Sequence, residues 1–383
     1  MSSDSKPSLE VDLAGIPFAF GAGGVHASAS RQVFRADDDH IIRDLDVSGM
    51  YVAVGTVNEF APEHLGRDFV QVYKQLKYDR AQYKKGTPMN AALKLAGNGV
   101  YGKSNDQYSP FYDPKYTFTV TLNGQLQLLQ LVEMVTMVPG VQMIQANTDG
   151  ITCRIPKKVL PFFDLWKTQW EKMTGYSLET VDYSRMWIRD VNSYIAETTK
   201  GKVKRKGAYF YPEKIEDYDG YWNKDYSSMA VQKAADFALR YDMSPEQAIR
   251  MVPDKFDFMM REKAKGQTKI MIGSKECQKT MRFYASKAGE EMVKVAPPRG
   301  TPGTYKRKNA ISDAYFAKIS VEIAPGQWDE RIHTKNKSVH PENVPTAVLK
   351  GYKVRDCCEA RDFNWEDLDY DYYVEEVKKL LIS

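Results

Sequence analysis

The chain reads as an α+β protein, and three observations carry that reading. Residues 62–101 follow a helical period in two stretches, broken at Gly86-Thr-Pro88. Segments on both sides of them, Ile41–Val54 and Val141–Ile155, are β-branched or alternating in the manner of strands. Two aspartates, Asp46 and Asp149, fall at strand positions around the second helix.

The elements follow in order. Residues 1–40 hold the Gly-rich piece Phe20-Gly-Ala-Gly-Gly-Val-His26, which no GK[ST] follows, so it reads as a turn between short strands and not as a phosphate loop. Ile41–Val54 is a strand. From Pro62 to Lys85 the residues Phe69, Val72, Tyr73 and Leu76 share one helical face, and a second helix runs from Met89 to Tyr101. The opposite face of this hairpin shows Arg80, Lys84 and Lys94, the first two projecting together at i, i+4. A strand over Tyr116–Thr121 and an amphipathic helix over Gln125–Met137 come next. Val141–Ile155 then alternates around Asn147-Thr-Asp-Gly150, a hairpin signal. Trp187–Ala196 reads as a strand that leads through a basic run into Tyr209. Beyond residue 213 the pattern predicts helices at Met229–Tyr241, Ser244–Val252 and Tyr372–Leu381, with strands at Lys269–Ile272 and Met281–Ala285.

At 383 residues the chain is long for a single core and implies two or three packed regions. Its net charge of +4 conceals asymmetry. Asp37-Asp-Asp-His40 and the tail Asp362–Glu376 are acidic, whereas Lys200-Gly-Lys-Val-Lys-Arg-Lys206 is a basic stripe of the kind that meets nucleic acid. The four cysteines have no CxxC spacing, which argues against a zinc site or a disulfide framework and for reduced thiols in the cytoplasm. No apolar stretch approaches the ~20 residues of a spanning helix, and the start Met1-Ser-Ser-Asp-Ser-Lys6 has no signal-peptide core. Neither feature points to a membrane.

Paired carboxylates beside a cationic helix suit metal-assisted nucleotidyl transfer. Mg²⁺ is commonly held by only one or two protein carboxylates together with substrate phosphates and water, so a pair such as Asp46 and Asp149 is enough. Three cations on one helical hairpin match a triphosphate.

The order Asp46-x-x-x-x-Tyr51, Lys94-x-x-x-Asn98-x-x-Tyr101-Gly102, then Thr148-Asp149 resembles the three polymerase motifs of family B DNA polymerases, and most of all their compact bacteriophage versions. That resemblance implies a right-hand polymerase with an antiparallel palm sheet, helical-hairpin fingers and a mixed α/β thumb. It would divide the chain into palm (1–60), fingers (61–105), palm again (106–212) and thumb (213–383). It implies template-directed addition of dNTPs to a primer 3′-hydroxyl by a two-metal mechanism in phage replication, with two Mg²⁺ ions for which Mn²⁺ substitutes. In this pattern Asp46 and Asp149 are the catalytic, metal-holding carboxylates and the Val47 carbonyl completes one metal shell. Arg80, Lys84 and Lys94 meet the triphosphate. Tyr51 excludes a 2′-hydroxyl, supported by Asn98 and Tyr101. Lys206-Gly-Ala-Tyr209 resembles the family's Lys-x-Tyr element, which tracks the primer, with Lys204 and Arg205 neutralising phosphates beside it. The likeness continues faintly through Arg282-Phe-Tyr-Ala-Ser-Lys287, where Arg282, Tyr284 and Lys287 would face the duplex, and through Trp328–Val339.

The chain departs from the family at several positions. Asn147 stands where the family has the first aspartate of its third motif, beside the auxiliary Thr148. Gly49, Gly99 and Gly150 stand at serine positions. Asn147 lowers local negative charge without removing a main ligand. The residues ahead of Asp46 leave no room for the usual exonuclease domain, so a separate exonuclease polypeptide or another replication protein is the expected partner, in the host-cell cytoplasm if the chain is phage-encoded. The alternative is a polymerase-like subunit that binds primer–template DNA without catalysis. A reverse transcriptase fits less well, because adjacent aspartates are missing from the palm hairpin.

Overall fold

A computed structural model describes residues 9–212, 227–296, 318–324, 327–332 and 344–382. The expected thumb segment Trp328–Val339 lies outside the described residues beyond residue 332. The chain forms two compact units. The first comprises residues 1–211, 235–242 and 380–383, and the second comprises 212–234 and 243–379.

The first unit is built on a ten-stranded antiparallel sheet. Its strands are β1 (Leu9–Leu13), β2 (Ile16–Gly21), β3 (Gly24–Ser28), β4 (Gln32–Arg35), β5 (His40–Val47), β6 (Gln142–Asn147), β7 (Gly150–Pro156), β8 (Leu178–Asp190), β9 (Ser193–Thr198) and β10 (Val203–Arg205). The order is β1-β2-β3-β6-β7-β5-β8-β9-β10, with β4 also on β8. Non-sequential β5 therefore sits between the β6–β7 hairpin and β8. Leu45 and Val47 of β5 are buried, while Asp44 and Asp46 alternate to the other face.

The strand expected over Ile41–Val54 ends early. Gly49 takes φ 64°, ψ 57°, a left-handed conformation that stops the ladder, and Met50–Val57 forms helix α1. Tyr51 is thus helical. Val52, Ala53, Val54 and Thr56 are all buried there, so packing overrides the strand preference of β-branched residues. Helices α2 (Gly66–Ala81) and α3 (Pro88–Lys103) form the expected hairpin, α3 opening with a Thr87 cap and Pro88 at its first position.

The expected strand over Tyr116–Thr121 is instead the start of the 23-residue helix α4 (Pro114–Thr136). Asp113 accepts a hydrogen bond from the Tyr116 N–H and Pro114 begins the helix. Tyr116, Val120, Gly124, Leu128, Leu131 and Val135 then bury one stripe, so the helical period prevails over local Thr-x-Thr alternation. Helix α5 (Leu160–Thr174), which the sequence reading omitted, seats Phe163 and Trp170 in the same core. The strand expected over Trp187–Ala196 is two strands, β8 and β9, joined at Val191-Asn192.

The second unit has a three-stranded sheet around Thr280–Glu290 and a four-stranded sheet around Lys269–Ile272 and Met292–Ala296, all antiparallel. Its helices include Pro245–Arg250, opened by a full capping box at Ser244 and Gln247. Phe258, Tyr284 and Tyr373 are wholly buried in it, Phe258 edge-on to Tyr373 at 5.1 Å. Among the described residues no helix is long and apolar enough to cross a membrane.

Candidate active site

Register brings the two aspartates together. Asp46 pairs with Gly150 across β5 and β7, and the Val47 N–H donates to the Asp149 carbonyl at 2.6 Å. Asp149 thus occupies the β6–β7 turn against the end of β5. The backbones approach so closely that a Cβ on Gly150 would lie 2.5 Å from the Leu45 carbonyl oxygen and 3.1 Å from Asp46 Oδ1. Glycine at this position is a steric requirement of the site. Asn147 turns its Oδ1 back to the Thr148 N–H at 3.0 Å. Thr148 in turn packs on Gly24, where a Cβ would come within 2.9 Å of its side chain. The Gly-rich turn between β2 and β3 therefore closes one side of the site, a placement that its sequence did not reveal.

The carboxylates perturb one another. Burial, then the charges of Asp149 and Asp44, push the Asp46 carboxyl up to about 7, with Glu179 adding to the rise and Lys204 opposing it. Asp44 and Glu179 were missed by the sequence reading. The alternation Asp44-Leu45-Asp46 was a readable sign that Asp44 shares Asp46's face. Glu179, opposite Asp46 on β8, is visible only from the register. A hydrogen bond from Lys85, Nζ to Oε2 2.5 Å, leads the effects that lower the Glu179 pKa, followed by its partial burial, which opposes them, and Ser48.

A cleft of about 270 Å³ opens between the start of α1 and the α2–α3 hairpin, reached from Asp46 through Ser48 and Gly49, though neither Asp46 nor Asp149 lines it. Its walls include Ser48, Gly49, Val52, Arg80, Lys85 and Lys94. Arg80 Nη1 would lie 3.4 Å from a Cβ on Gly49, so the guanidinium stands directly over the α1 turn. Lys84 does not line the cleft, and Lys85 does. The chain has passed the end of α2 by then, so i, i+4 spacing no longer projects Lys84 with Arg80, and the Lys84 carbonyl instead accepts from Thr87.

Tyr51 stacks on Tyr101 with ring centroids 3.7 Å apart and planes 10° from parallel. The Tyr51 hydroxyl donates to the Gly23 carbonyl at 3.2 Å, and the Tyr101 and Thr121 hydroxyls share a 2.6 Å hydrogen bond. Both rings are fixed at both ends. Asn98 is exposed and sits between Lys94 and Tyr101 on one face of α3.

The basic stripe divides. Lys204 Nζ lies 3.9 Å from Asp44 Oδ2 and 5.7 Å from the Tyr194 ring centroid. Lys206 is exposed. Arg205, expected on DNA, points inward, both Nε and Nη2 donating to the fully buried Asp236 at 3.1 and 2.9 Å. Tyr209, expected on the primer, has no exposed surface and donates its hydroxyl to the Leu380 carbonyl at 2.6 Å. In the second unit Arg282 and Tyr284 are 4% and 0% exposed, whereas Lys287 of the same strand is exposed. Buried side chains cannot meet a duplex, so Arg205, Tyr209, Arg282 and Tyr284 leave the expected contact set, and Lys204, Lys206 and Lys287 stay in it.

Among the described residues no group of three His, Cys, Asp or Glu side chains is arranged to hold a metal ion. Asp46 and Asp149 are a pair whose oxygen donors could hold a hard cation.

No protein-family model and no curated protein matches the chain. Among solved structures, the chain is similar to the family B DNA polymerase of the hyperthermophilic archaeon Pyrobaculum calidifontis, with 12% identity and a TM-score of 0.44. The match covers 99% of this chain and 47% of that one, so the chain spans about half the length of the polymerase.

Proposed function

We propose that this chain is a DNA-directed DNA polymerase of the family B type, of the compact kind that bacteriophages carry, adding dNTPs to a primer 3′-hydroxyl. The observation that carries the reading is the register of β5, β6 and β7, which sets Asp46 against Asp149, with β5 running on into Ser48 and Gly49 of a cleft that Arg80 and Lys94 also line. Burial first, then the charges of Asp149 and Asp44, raise the Asp46 pKa, and a divalent cation would offset both by compensating the carboxylate charge, so the donor set fits Mg²⁺. Bound by Asp46, Asp149 and the Val47 carbonyl, two Mg²⁺ ions would acidify the attacking hydroxyl and carry charge on the phosphoryl oxygens.

The chain's own groups do the rest. Arg80 and Lys94 bind the triphosphate from two helices, and Lys85 is available at the cleft mouth if it releases Glu179. Tyr51, held flat by Tyr101 and tethered to Gly23, forms a rigid floor that admits a deoxyribose and excludes a 2′-hydroxyl by contact. Lys206 and Lys287 neutralise DNA phosphates without reading sequence. Separate exonuclease or replication polypeptides are the proposed partners.

Primer extension on a short primed template with Mg²⁺, and separately with Mn²⁺, tests this, with Asp149→Ala as control. Template-dependent extension that vanishes in the variant supports the reading. Tight binding to primed template without extension under either metal would replace it with a non-catalytic DNA-binding subunit.

A further inference from the structure

The carboxylate of Asp44 is expensive to keep in place. Its side chain is 14% exposed, yet it is gripped from two strands: Thr152 Oγ1 of β7 donates to Oδ1 at 2.6 Å and the Tyr183 hydroxyl of β8 donates to Oδ2 at 2.9 Å. Thr152 is itself the register partner of Asp44 and receives Gln145 Nε2 of β6 at 3.2 Å. Two neighbouring strands directly, and a third through Thr152, thus fix one carboxylate that lies two residues from Asp46 on the same face. Burying an ion this way costs stability unless a counter-charge stands by. The counter-charge is Lys204, on β10, across the sheet.

Lys204 reaches back over the Tyr194 ring toward Asp44. Burial works against its ammonium, but Tyr194, Asp44 and Asp46 outweigh burial and keep it charged. Of the two partners Asp44 is the immobile one and Lys204 the flexible one, a compact charge with three donors on a four-carbon stem. The same ammonium also interacts electrostatically with Asp46, the neighbouring carboxylate on that face.

We propose that Asp44 is a positioning residue that holds the Lys204 ammonium beside Asp46, where it contacts the anionic sugar-phosphate end of the primer strand. The proposal rests on the polymerase reading above. Asp44 touches no substrate; it acts through Lys204. Loose placement of such a contact slows chemistry more than it weakens binding, because misplacement by about 1 Å costs up to ~100-fold in rate.

The test is a mutant cycle read by single-turnover dNTP addition and by fluorescence-anisotropy binding of primed template. Asp44→Asn keeps the shape and removes the charge, and one of the two hydroxyls that donate to the carboxylate must then accept from the amide NH2. Asp44→Asn and Lys204→Met should each slow incorporation about tenfold, with the template Kd changed less than about threefold. The double variant should be no slower than Lys204→Met, since one residue acts through the other. Lys204→Arg should recover at least about a third of the lost rate.

Multiplying effects in the double variant, or an Asp44→Asn rate within about twofold of the parent, overturn the proposal. Should Asp44→Asn fail to fold, Lys204→Met against Lys204→Arg decides, and equal rates in those two overturn it. Absence of extension by the parent chain under both metals overturns the polymerase reading and this proposal with it. Extension by the parent with independent variants overturns this proposal alone.

Discussion

Replacing Asp46 by asparagine should make the metal-free protein more stable while abolishing extension. The reasoning starts from a carboxyl whose pKa rises from an ordinary 3.8 to about 7, through burial first and the charges of Asp149 and Asp44 next. A raised carboxyl favours the protonated folded state. Below the ordinary value both folded and unfolded chains carry the proton and nothing is lost. As pH climbs from 3.8 to about 7 the unfolded chain releases its proton and the folded chain does not, so stability falls across that window. About three pH units at about 1.4 kcal/mol each give an upper bound of about 4 kcal/mol. Asp46 is only part-buried, and solvent at its open side screens that to about 2 kcal/mol. Urea unfolding with a chelator present, from pH 4 to 8, measures the gap between Asp46→Asn and the parent. It should be near zero at pH 4 and about 2 kcal/mol in the variant's favour at pH 8, then shrink when Mg²⁺ is added, because a ligand that binds only the folded parent stabilises it. Parallel curves at all pH values would refute the claim that Asp46 is strained by its neighbours.

Three more predictions bear on the fold and the cleft. Gly150→Ser, which would restore the family's serine, drives a Cβ to 2.5 Å from the Leu45 carbonyl and should cost about 2–4 kcal/mol by thermal or urea unfolding. Gly99→Ala meets nothing within 4 Å and should stabilise α3 by about 0.5–1 kcal/mol, whereas Gly97→Ala crowds Leu76 and Val52 at 3.1 Å and should destabilise by about 1 kcal/mol or more. Arg80→Ala and Lys94→Ala should each raise the dNTP KM about tenfold and Lys84→Ala less than about twofold, because the first two line the cleft and Lys84 does not.

The elements legible in the sequence are those whose period and punctuation agree. The α2–α3 hairpin is one: a helical face ending at Gly86-Thr-Pro88, and a Thr-Pro start that caps the next helix. The β6–β7 hairpin is another, because the turn chemistry of Asn-Thr-Asp-Gly falls between alternating runs. Tyr116–Val120 and Met50–Val54 misled for one reason. Their β-branched residues favour strands by local preference, and only the buried stripe that continues into Leu128, or a left-handed glycine at 49, converts them to helices. That information lies in the partner surface and not in the segment.

The same division separates the parts of the site. That Asp46 and Asp149 come together was legible because motif order brings carboxylates and strand position together. Charge alone was a poor guide to the basic stripe, since a run of five cations in seven positions looks uniform while a short β10 with its flanking turns sorts its members by direction. Lys204 goes to the carboxylates, Arg205 goes to a fully buried Asp236 some thirty positions onward, and Lys206 goes to solvent. An arginine can be spent on an internal pair because its planar fork sets two donors, Nε and Nη2, on one oxygen of the buried carboxylate, a geometry that lysine does not offer. Alternation along β10 then leaves its neighbour Lys204 on the opposite face, toward Asp44. The residue that anchors the stripe to the inside of the first unit is thereby the one that aims Lys204 at the candidate site. Removing the Arg205 fork would be felt at Asp46 without either side chain touching the other.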